Sequence, residues 1–218
     1  MTTLKSRLNA RPYTKGAARE GIDLWLDANE GAMVLTDDEV ARAAARACVR
    51  RYPDASALEQ EIAARLGVPP ACVVVTAGGD AAIDRVCRAF IEPGSEVVLP
   101  TPTFEMIGRY ARSAGAQLRE VRWEDTEFPV GEVVRAVSAR TAMIAAVSPN
   151  NPTGAVVRAA DLLTLSAAAP DALLLVDLAY TEFAEVDLTP VAVALPNAVV
   201  IRTFSKAYGL AGIRVGYA

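Results

Sequence analysis

Apolar runs of strand length alternate with amphipathic helical patterns along most of the sequence. Strand candidates occupy 72–76, 96–99, 117–121, 142–147, Leu173–Asp177 and 199–203. Helical patterns at 80–91, 104–113, 131–137 and Ala159–Ala168 lie between most of these strands. Near-continuous apolar strands that alternate with helices predict an α/β fold, a three-layer α/β/α domain with a mostly parallel sheet.

Two capping boxes mark helix starts before the first strand. Thr36-Asp37-Asp38-Glu39 opens a helix that runs toward Arg51, and Ser56-Ala57-Leu58-Glu59 opens one that ends at Gly67. Residues 1–35 are less regular, so we predict an N-terminal arm there and one large domain over 36–218. The segment 212–218 is strand-like.

The composition of the chain excludes several kinds of catalytic site and partner. The chain has no histidine, which excludes Ser-His-Asp and Cys-His catalysis and the usual zinc sites, so we expect no metal. A net charge of -4 provides no basic field for nucleic acid. The longest apolar runs are too short for a membrane span, and no export signal opens the sequence. We therefore expect a cytoplasmic protein with a small-molecule partner.

Ligands of parallel sheets bind at the carboxyl ends of strands, where Lys206, Asp177 and Tyr180 are predicted to lie. Desolvation at Lys206 would favour a neutral amine that can attack an aldehyde, although an ordinary loop lysine fits the same pattern. Asp177 could pair with a protonated pyridine nitrogen, cap a helix or form a structural salt bridge. Tyr180 could hydrogen-bond a phenolic oxygen of the same ring or fill the core.

An anion site is predicted where a strand meets a helix at Gly78-Gly79-Asp80. Two glycines allow a close approach to the backbone, and helix N-terminal amides bind phosphate, although a plain strand-to-helix turn has the same sequence. The Arg214 guanidinium and the hydroxyls of Thr203 and Ser205 could complete a phosphate site around Lys206.

Two further residues belong to the predicted ligand site. Asn151 offers an amide from a proline-rich turn, and Phe104 could stack on an aromatic ring or fill core. Together these residues supply what pyridoxal 5′-phosphate (PLP) requires. A nucleotide-binding α/β domain is the alternative, but no Walker loop or GxGxxG motif follows a strand, and a nucleotide explains neither Lys206 nor Asp177.

The sequence resembles the fold-type I, class I/II aminotransferases. Three motifs match that group in order and spacing, namely Asn151-Pro152-Thr153-Gly154, Asp177-Leu178-Ala179-Tyr180 and the segment from Ser205-Lys206 to Arg214. Within the group it is most similar to the histidinol-phosphate aminotransferase family, through Arg11-Pro12-Tyr13, the segment 26–30, Arg51-Tyr52-Pro53 and the segment 78–83.

The resemblance implies a role for each matching residue. Lys206 would carry PLP as a Schiff base, Asp177 would pair with the pyridine nitrogen, and Asn151 and Tyr180 would contact the phenolic oxygen. Phe104 would stack on the ring. The phosphate would be held by the backbone of Gly79, Asp80 and Ala81 with Ser205 and Arg214. Tyr52 would reach the phosphate of the neighbouring subunit in a homodimer, and Tyr13 and Asn29 would bind substrate.

The implied reaction transfers an amino group from a donor, with L-histidinol phosphate the best candidate, to 2-oxoglutarate in histidine biosynthesis. A PLP-dependent lyase such as a threonine-phosphate decarboxylase is an alternative, as is an inactive PLP-binding or dimerising fragment. The resemblance also implies that the C-terminal small domain of the family is absent from this sequence.

Overall fold

A computed structural model describes residues 28–31, 35–46 and 52–218. The helices are α1 Asp37–Arg46, α2 Ser56–Leu66, α3 Gly78–Phe90, α4 Glu105–Ala114, α5 Val130–Ala136, α6 Ala159–Ala168 and α7 Thr189–Val193. The strands are β1 Val75–Thr76, β2 Glu96–Thr101, β3 Gln117–Arg122, β4 Thr141–Val147, β5 Leu173–Asp177, β6 Ala198–Thr203 and β7 Gly216–Tyr217. Short 3-10 turns occur at Pro70–Cys72, Thr181–Phe183 and Ala211–Ile213.

The strands form one sheet in the order β1-β7-β6-β5-β4-β2-β3. From β6 to β3 every pairing is parallel, whereas β7 runs antiparallel to both β6 and β1. Helices cover both faces, which confirms the predicted α/β class with a mostly parallel sheet. The carboxyl ends of β4, β5 and β6 therefore meet at one edge, where the connecting loops converge.

Two apolar clusters explain why the central strands are apolar along their whole length. One cluster packs α5, α6 and α7 against one face of the sheet, with Trp123, Ile144 and Leu174 fully buried in it. The other packs α3 and α4 against the opposite face around Ile83 and Ile107. Strands buried on both faces need apolar side chains at every position. No helix of the described ranges is long and apolar enough to cross a membrane.

Several predicted boundaries need correction. The strand expected at 72–76 is confined to β1, because the preceding prolines favour the 3-10 turn Pro70–Cys72. The strand-like segment 212–218 contains part of the 3-10 turn Ala211–Ile213, and only β7 is a strand. Helix α7 was not predicted, because its five residues are too few for a periodic pattern. The described part of the first helix ends at Arg46, and 47–51 lie outside the described residues.

A buried carboxylate anchors the edge of the sheet opposite the converging loops. The side chain of Glu96, the first residue of β2, is fully buried. It accepts hydrogen bonds from Arg119 (3.0 Å), from Ser138 (2.7 Å) and from Arg140. These donors, led by Arg119, lower the pKa of Glu96 to about 2. We interpret this cluster as structural, because it lies at the amino end of β2.

Candidate functional site

A cavity of about 500 Å³ opens at the carboxyl edge of the sheet. Its walls come from segments that are far apart in sequence, including the start of α3, the ends of β5 and β6, and residues 28–30. Most of the predicted site residues face it, namely Asn29, Gly79, Asp80, Phe104, Asn151, Asp177, Tyr180, Thr203, Ser205, Lys206 and Arg214. Among the described residues, no cluster of three or more His, Cys, Asp or Glu side chains could hold a metal ion.

Asp177 is a buried acid at the floor of the cavity. It ends β5, which runs between β4 and β6, and it is only 4% exposed. Its Oδ1 accepts the backbone N–H of Ala179 at 3.0 Å. Burial raises the pKa of Asp177 to about 6, and the hydrogen bond from Ala179 opposes the rise only in part. A cationic group in the cavity would compensate this carboxylate, as a protonated ring nitrogen does.

Lys206 lies in the turn that follows β6, and its amine faces the same cavity. Its Nζ donates a hydrogen bond to the carbonyl oxygen of Ala28 at 2.7 Å and lies 5.6 Å from the centroid of the Tyr180 ring. The parallel pairing of β5 with β6 is the reason that Lys206 and Asp177 reach one edge. The cavity therefore contains both an amine and a buried carboxylate.

The start of α3, with Ser205 and Arg214, presents donors that could hold an anion, and we call this group the anion cradle. Gly78 has a φ of 81°, and a Cβ there would lie 2.4 Å from Nη2 of Arg214. Only glycine therefore lets the guanidinium pack against this helix start. Arg214 Nη1 donates to Ser205 Oγ at 3.3 Å, and Ser205 Oγ also accepts from Thr203 Oγ1 at 2.9 Å. Helix amides, a guanidinium and two hydroxyls are the donors that bind a phosphate.

One wall of the cavity is formed by the proline-rich loop after β4. Asn151 lines the cavity, while its neighbour Asn150 is buried and holds the loop in place. The side chain of Asn150 donates to the carbonyl oxygen of Pro102 (2.9 Å) and accepts from the hydroxyl of Thr103 (2.7 Å). Sequence reasoning missed this anchor, because two adjacent asparagines give no local signal to show which one turns inward.

Phe104 lies at the entry to α4, partly buried against the core, with its side chain lining the cavity. An aromatic face at this position can stack on a flat ring. Tyr180 follows Asp177 in the turn after β5 and also lines the cavity. The cavity therefore has two aromatic side chains in its lining.

Three assigned residues do not line the cavity in the part of the chain that the structure describes, and a fourth, Asn29, lines it with a protein partner. Ala81 lies in the first turn of α3 but does not line the cavity. The side chain of Tyr52 is fully exposed and also does not line it. Asn29, assigned to substrate, donates from Nδ2 to the hydroxyl of Tyr180 at 3.1 Å. Tyr13 lies outside the described residues.

The comparison with protein families agrees with this geometry. The sequence profile "Aminotransferase class I and II" matches residues 23–218. The chain therefore belongs to the class I and II aminotransferase family, whose members use PLP. This finding confirms the resemblance that the three motifs indicated.

Three individual proteins show which members of the family this chain is similar to. The chain is 38% identical over 224 residues to histidinol-phosphate aminotransferase of Paramagnetospirillum magneticum, covering 97% of this chain and 61% of that protein. A crystal structure of the Sinorhizobium meliloti histidinol-phosphate aminotransferase in complex with pyridoxal-5′-phosphate superposes with a TM-score of 0.78 at 29% identity, over 87% of this chain and 54% of that one. The L-threonine-O-3-phosphate decarboxylase of Porphyromonas gingivalis gives 0.72 at 26% identity, over 86% and 59%. The chain spans less than two thirds of the length of each.

Proposed function

We propose that this chain binds PLP through Lys206 and serves a transamination in which an amino group moves between an amino-acid-like donor and a 2-oxo acid. The observation that supports it most directly is the juxtaposition of Asp177 and Lys206. A buried carboxylate with a raised pKa and an amine face one cavity, with an anion cradle beside them. Family membership supports the same proposal.

The chain's own residues divide the work of holding the cofactor. The start of α3 with Ser205 and Arg214 would hold the phosphate, and Asp177 would hold a proton on the ring nitrogen. Phe104 would stack on the ring. Asn151 and Tyr180 would donate to the phenolic oxygen. When bound, PLP supplies an electron sink that stabilises negative charge at the substrate Cα.

Lys206 would act in two capacities. As an amine nucleophile, its Nζ would form the covalent link to the cofactor aldehyde, with release of one water. Once a substrate amine has displaced it, the free Nζ would accept a proton from the substrate Cα, as a general base. The cavity walls bring Nζ close to the Tyr180 ring, 5.6 Å from its centroid. One side chain would therefore carry both the attachment and the proton transfer.

We propose L-histidinol phosphate as the donor and 2-oxoglutarate as the acceptor. The histidinol-phosphate aminotransferases similar to this chain support the donor. The transamination requires a 2-oxo acid as acceptor, and 2-oxoglutarate is the one that we propose. The test is turnover by the chain with a panel of amino donors, each with 2-oxoglutarate and PLP. Release of glutamate with L-histidinol phosphate, and its loss in Lys206→Ala, would support both assignments. Unchanged turnover in Lys206→Ala would contradict the role of Lys206.

A PLP-dependent decarboxylase is the second candidate, because the Porphyromonas gingivalis enzyme has a similar fold at 26% identity. The two reactions differ in the product. A transaminase forms a keto product and leaves the amino group on the cofactor, whereas a decarboxylase releases carbon dioxide. Incubation with threonine phosphate, with both products measured, would distinguish the two. Carbon dioxide without keto product would overturn the transaminase assignment.

We also propose a cytoplasmic homodimer in which residues 1–35 form an arm and Tyr52 and Tyr13 reach across to the partner. The full exposure of Tyr52 is compatible with such a contact. Light scattering of the purified chain would measure the oligomeric state. A monomer with PLP bound would contradict the proposed role of Tyr52.

A further inference from the structure

The short segment 28–31 contacts two of the residues that would perform the chemistry. The carbonyl oxygen of Ala28 accepts the hydrogen bond from Lys206 Nζ at 2.7 Å. The next side chain, that of Asn29, donates from Nδ2 to the Tyr180 hydroxyl at 3.1 Å. These partners are 178 and 151 residues away in sequence. The segment therefore links the lysine turn to the tyrosine that faces it.

We propose that segment 28–31 is a positioning element of the site. In it, Asn29 directs the proton of the Tyr180 hydroxyl toward the bound ring, and Gly31 allows the segment to lie directly on the Lys206 turn. The proposal rests on the proposed PLP site. It assigns Asn29 to Tyr180 and not to the substrate.

The direction of the Asn29 hydrogen bond determines what Tyr180 can do. A phenol has one proton to donate, and its oxygen can also accept a hydrogen bond. Because the Asn29 amide donates into the Tyr180 oxygen, the tyrosine proton remains free for another acceptor. The acceptor proposed for it is the phenolic oxygen of the ring. Donation to that oxygen stabilises its deprotonated form and lowers its pKa.

The backbone conformation of Asn29 determines which substitution removes this side-chain hydrogen bond without moving the segment. Its φ is 51°, in the left-handed region that asparagine and glycine adopt more readily than other residues. Asn29→Gly therefore keeps the backbone conformation and removes only the donor. Asn29→Asp keeps the shape, but its carboxylate accepts a hydrogen bond and would draw the Tyr180 proton away from the ring.

Gly31 brings the segment against the backbone of the lysine turn. A Cβ at this position would lie 1.9 Å from the carbonyl oxygen of Lys206 and 3.4 Å from the nitrogen of Gly209. The same carbonyl oxygen accepts the Gly209 N–H at 3.0 Å, which closes the turn. A side chain at 31 must therefore lift the segment off the turn or open the turn itself. Either movement would disturb the contacts of Ala28 and Asn29.

The first measurement is the pH midpoint of the absorbance of bound PLP. Asn29→Gly should raise the midpoint by roughly half to one unit, the equivalent of one ordinary hydrogen bond. Asn29→Asp should raise it further. In a Tyr180→Phe background, Asn29→Gly should have no effect, because the residue that it positions has lost its hydroxyl. An equal shift in both backgrounds, or none in the native one, would overturn the positioning role.

The second measurement needs no cofactor and tests Gly31. Gly31→Ala should speed hydrogen exchange at the amides of 204–210, whereas Gly131→Ala should not, because a Cβ there meets only a flexible arginine at 3.5 Å. With PLP bound, Gly31→Ala should also reproduce the midpoint shift of Asn29→Gly. Unchanged exchange in Gly31→Ala would overturn the proposed contact. If the native chain does not bind PLP but the exchange result holds, the proposed function is wrong and the contact of Gly31 stands.

Discussion

The buried carboxylate of Asp177 should lower the stability of the cofactor-free chain at neutral pH. Burial raises its pKa from 3.8 to about 6. The folded state therefore binds more protons than the unfolded state between these values, and stability falls as the pH rises through that window. A rise of about two pKa units lowers the unfolding free energy above pH 6 by about 3 kcal/mol relative to its value at low pH. Below the unfolded pKa the penalty disappears, because both states are protonated.

Asp177→Asn removes this charge at nearly constant shape. The extra amide protons need acceptors, which costs about 1–3 kcal/mol at any pH. Because the cost of the amide protons does not change with pH, the pH dependence of the unfolding free energy reports only the electrostatic effect of the carboxylate. The unfolding free energy of Asp177→Asn relative to the native chain should therefore rise by about 3 kcal/mol between pH 4 and pH 8.

Urea unfolding without PLP, at one-unit steps of pH, measures this difference. Asp171→Asn is the matched control, because Asp171 is exposed and its substitution should give a nearly flat difference. A flat profile for Asp177→Asn as well would contradict the raised pKa of Asp177, since a buried acid with a raised pKa must make the unfolding free energy depend on pH. Added PLP should stabilise the native chain more than Asp177→Asn, because the ring nitrogen then compensates the carboxylate.

Further predictions concern the opposite edge of the sheet and the anion cradle. Glu96→Gln should lower the unfolding free energy at pH 7, and the deficit should shrink as the pH falls from 4.5 to about 2, because in this window the carboxyl of the unfolded chain binds a proton while the native Glu96 stays charged. Urea titrations at pH 7 and pH 3 check this, and a deficit that is constant with pH would contradict it. Gly216→Ala places a Cβ 2.6 Å from the carbonyl carbon of Gly78 and 2.7 Å from the nitrogen of Gly79. It should weaken PLP binding by about tenfold, from roughly 1–3 kcal/mol of overpacking, and native affinity in a titration of the folded variant would argue against the cradle.

Much of the fold could be predicted because the pattern of each element is local. The buried strands β4 and β5 are apolar at nearly every position, and α6 has the bounds that its sequence pattern indicated. The short elements could not be predicted in the same way. Strand β7 has two residues, and its extended form depends on pairing with β1 and β6 and not on its own sequence.

The site residues that lie at the ends of strands could be predicted from the sequence. Asp177 and Lys206 each follow a recognisable strand, so parallel pairing brings them to one edge. The partner of Asn29 was not predictable, because a contact across 151 residues leaves no trace in local pattern. Likewise, the close approach of Gly31 to Lys206 depends on tertiary packing, and a lone glycine in sequence indicates only conformational freedom.

The proposed function depends on Lys206 as the residue that carries PLP, and the sequence makes this assignment easy to test. Lys206 is one of three lysines, the others being Lys5 and Lys15. Titration of the purified chain with PLP, followed by borohydride reduction and peptide mapping, identifies the labelled amine. We expect a visible absorbance band and a reduced adduct on Lys206, with no band in Lys206→Arg. An adduct on Lys5 or Lys15 alone, or no band in a chain shown to be folded, would contradict it.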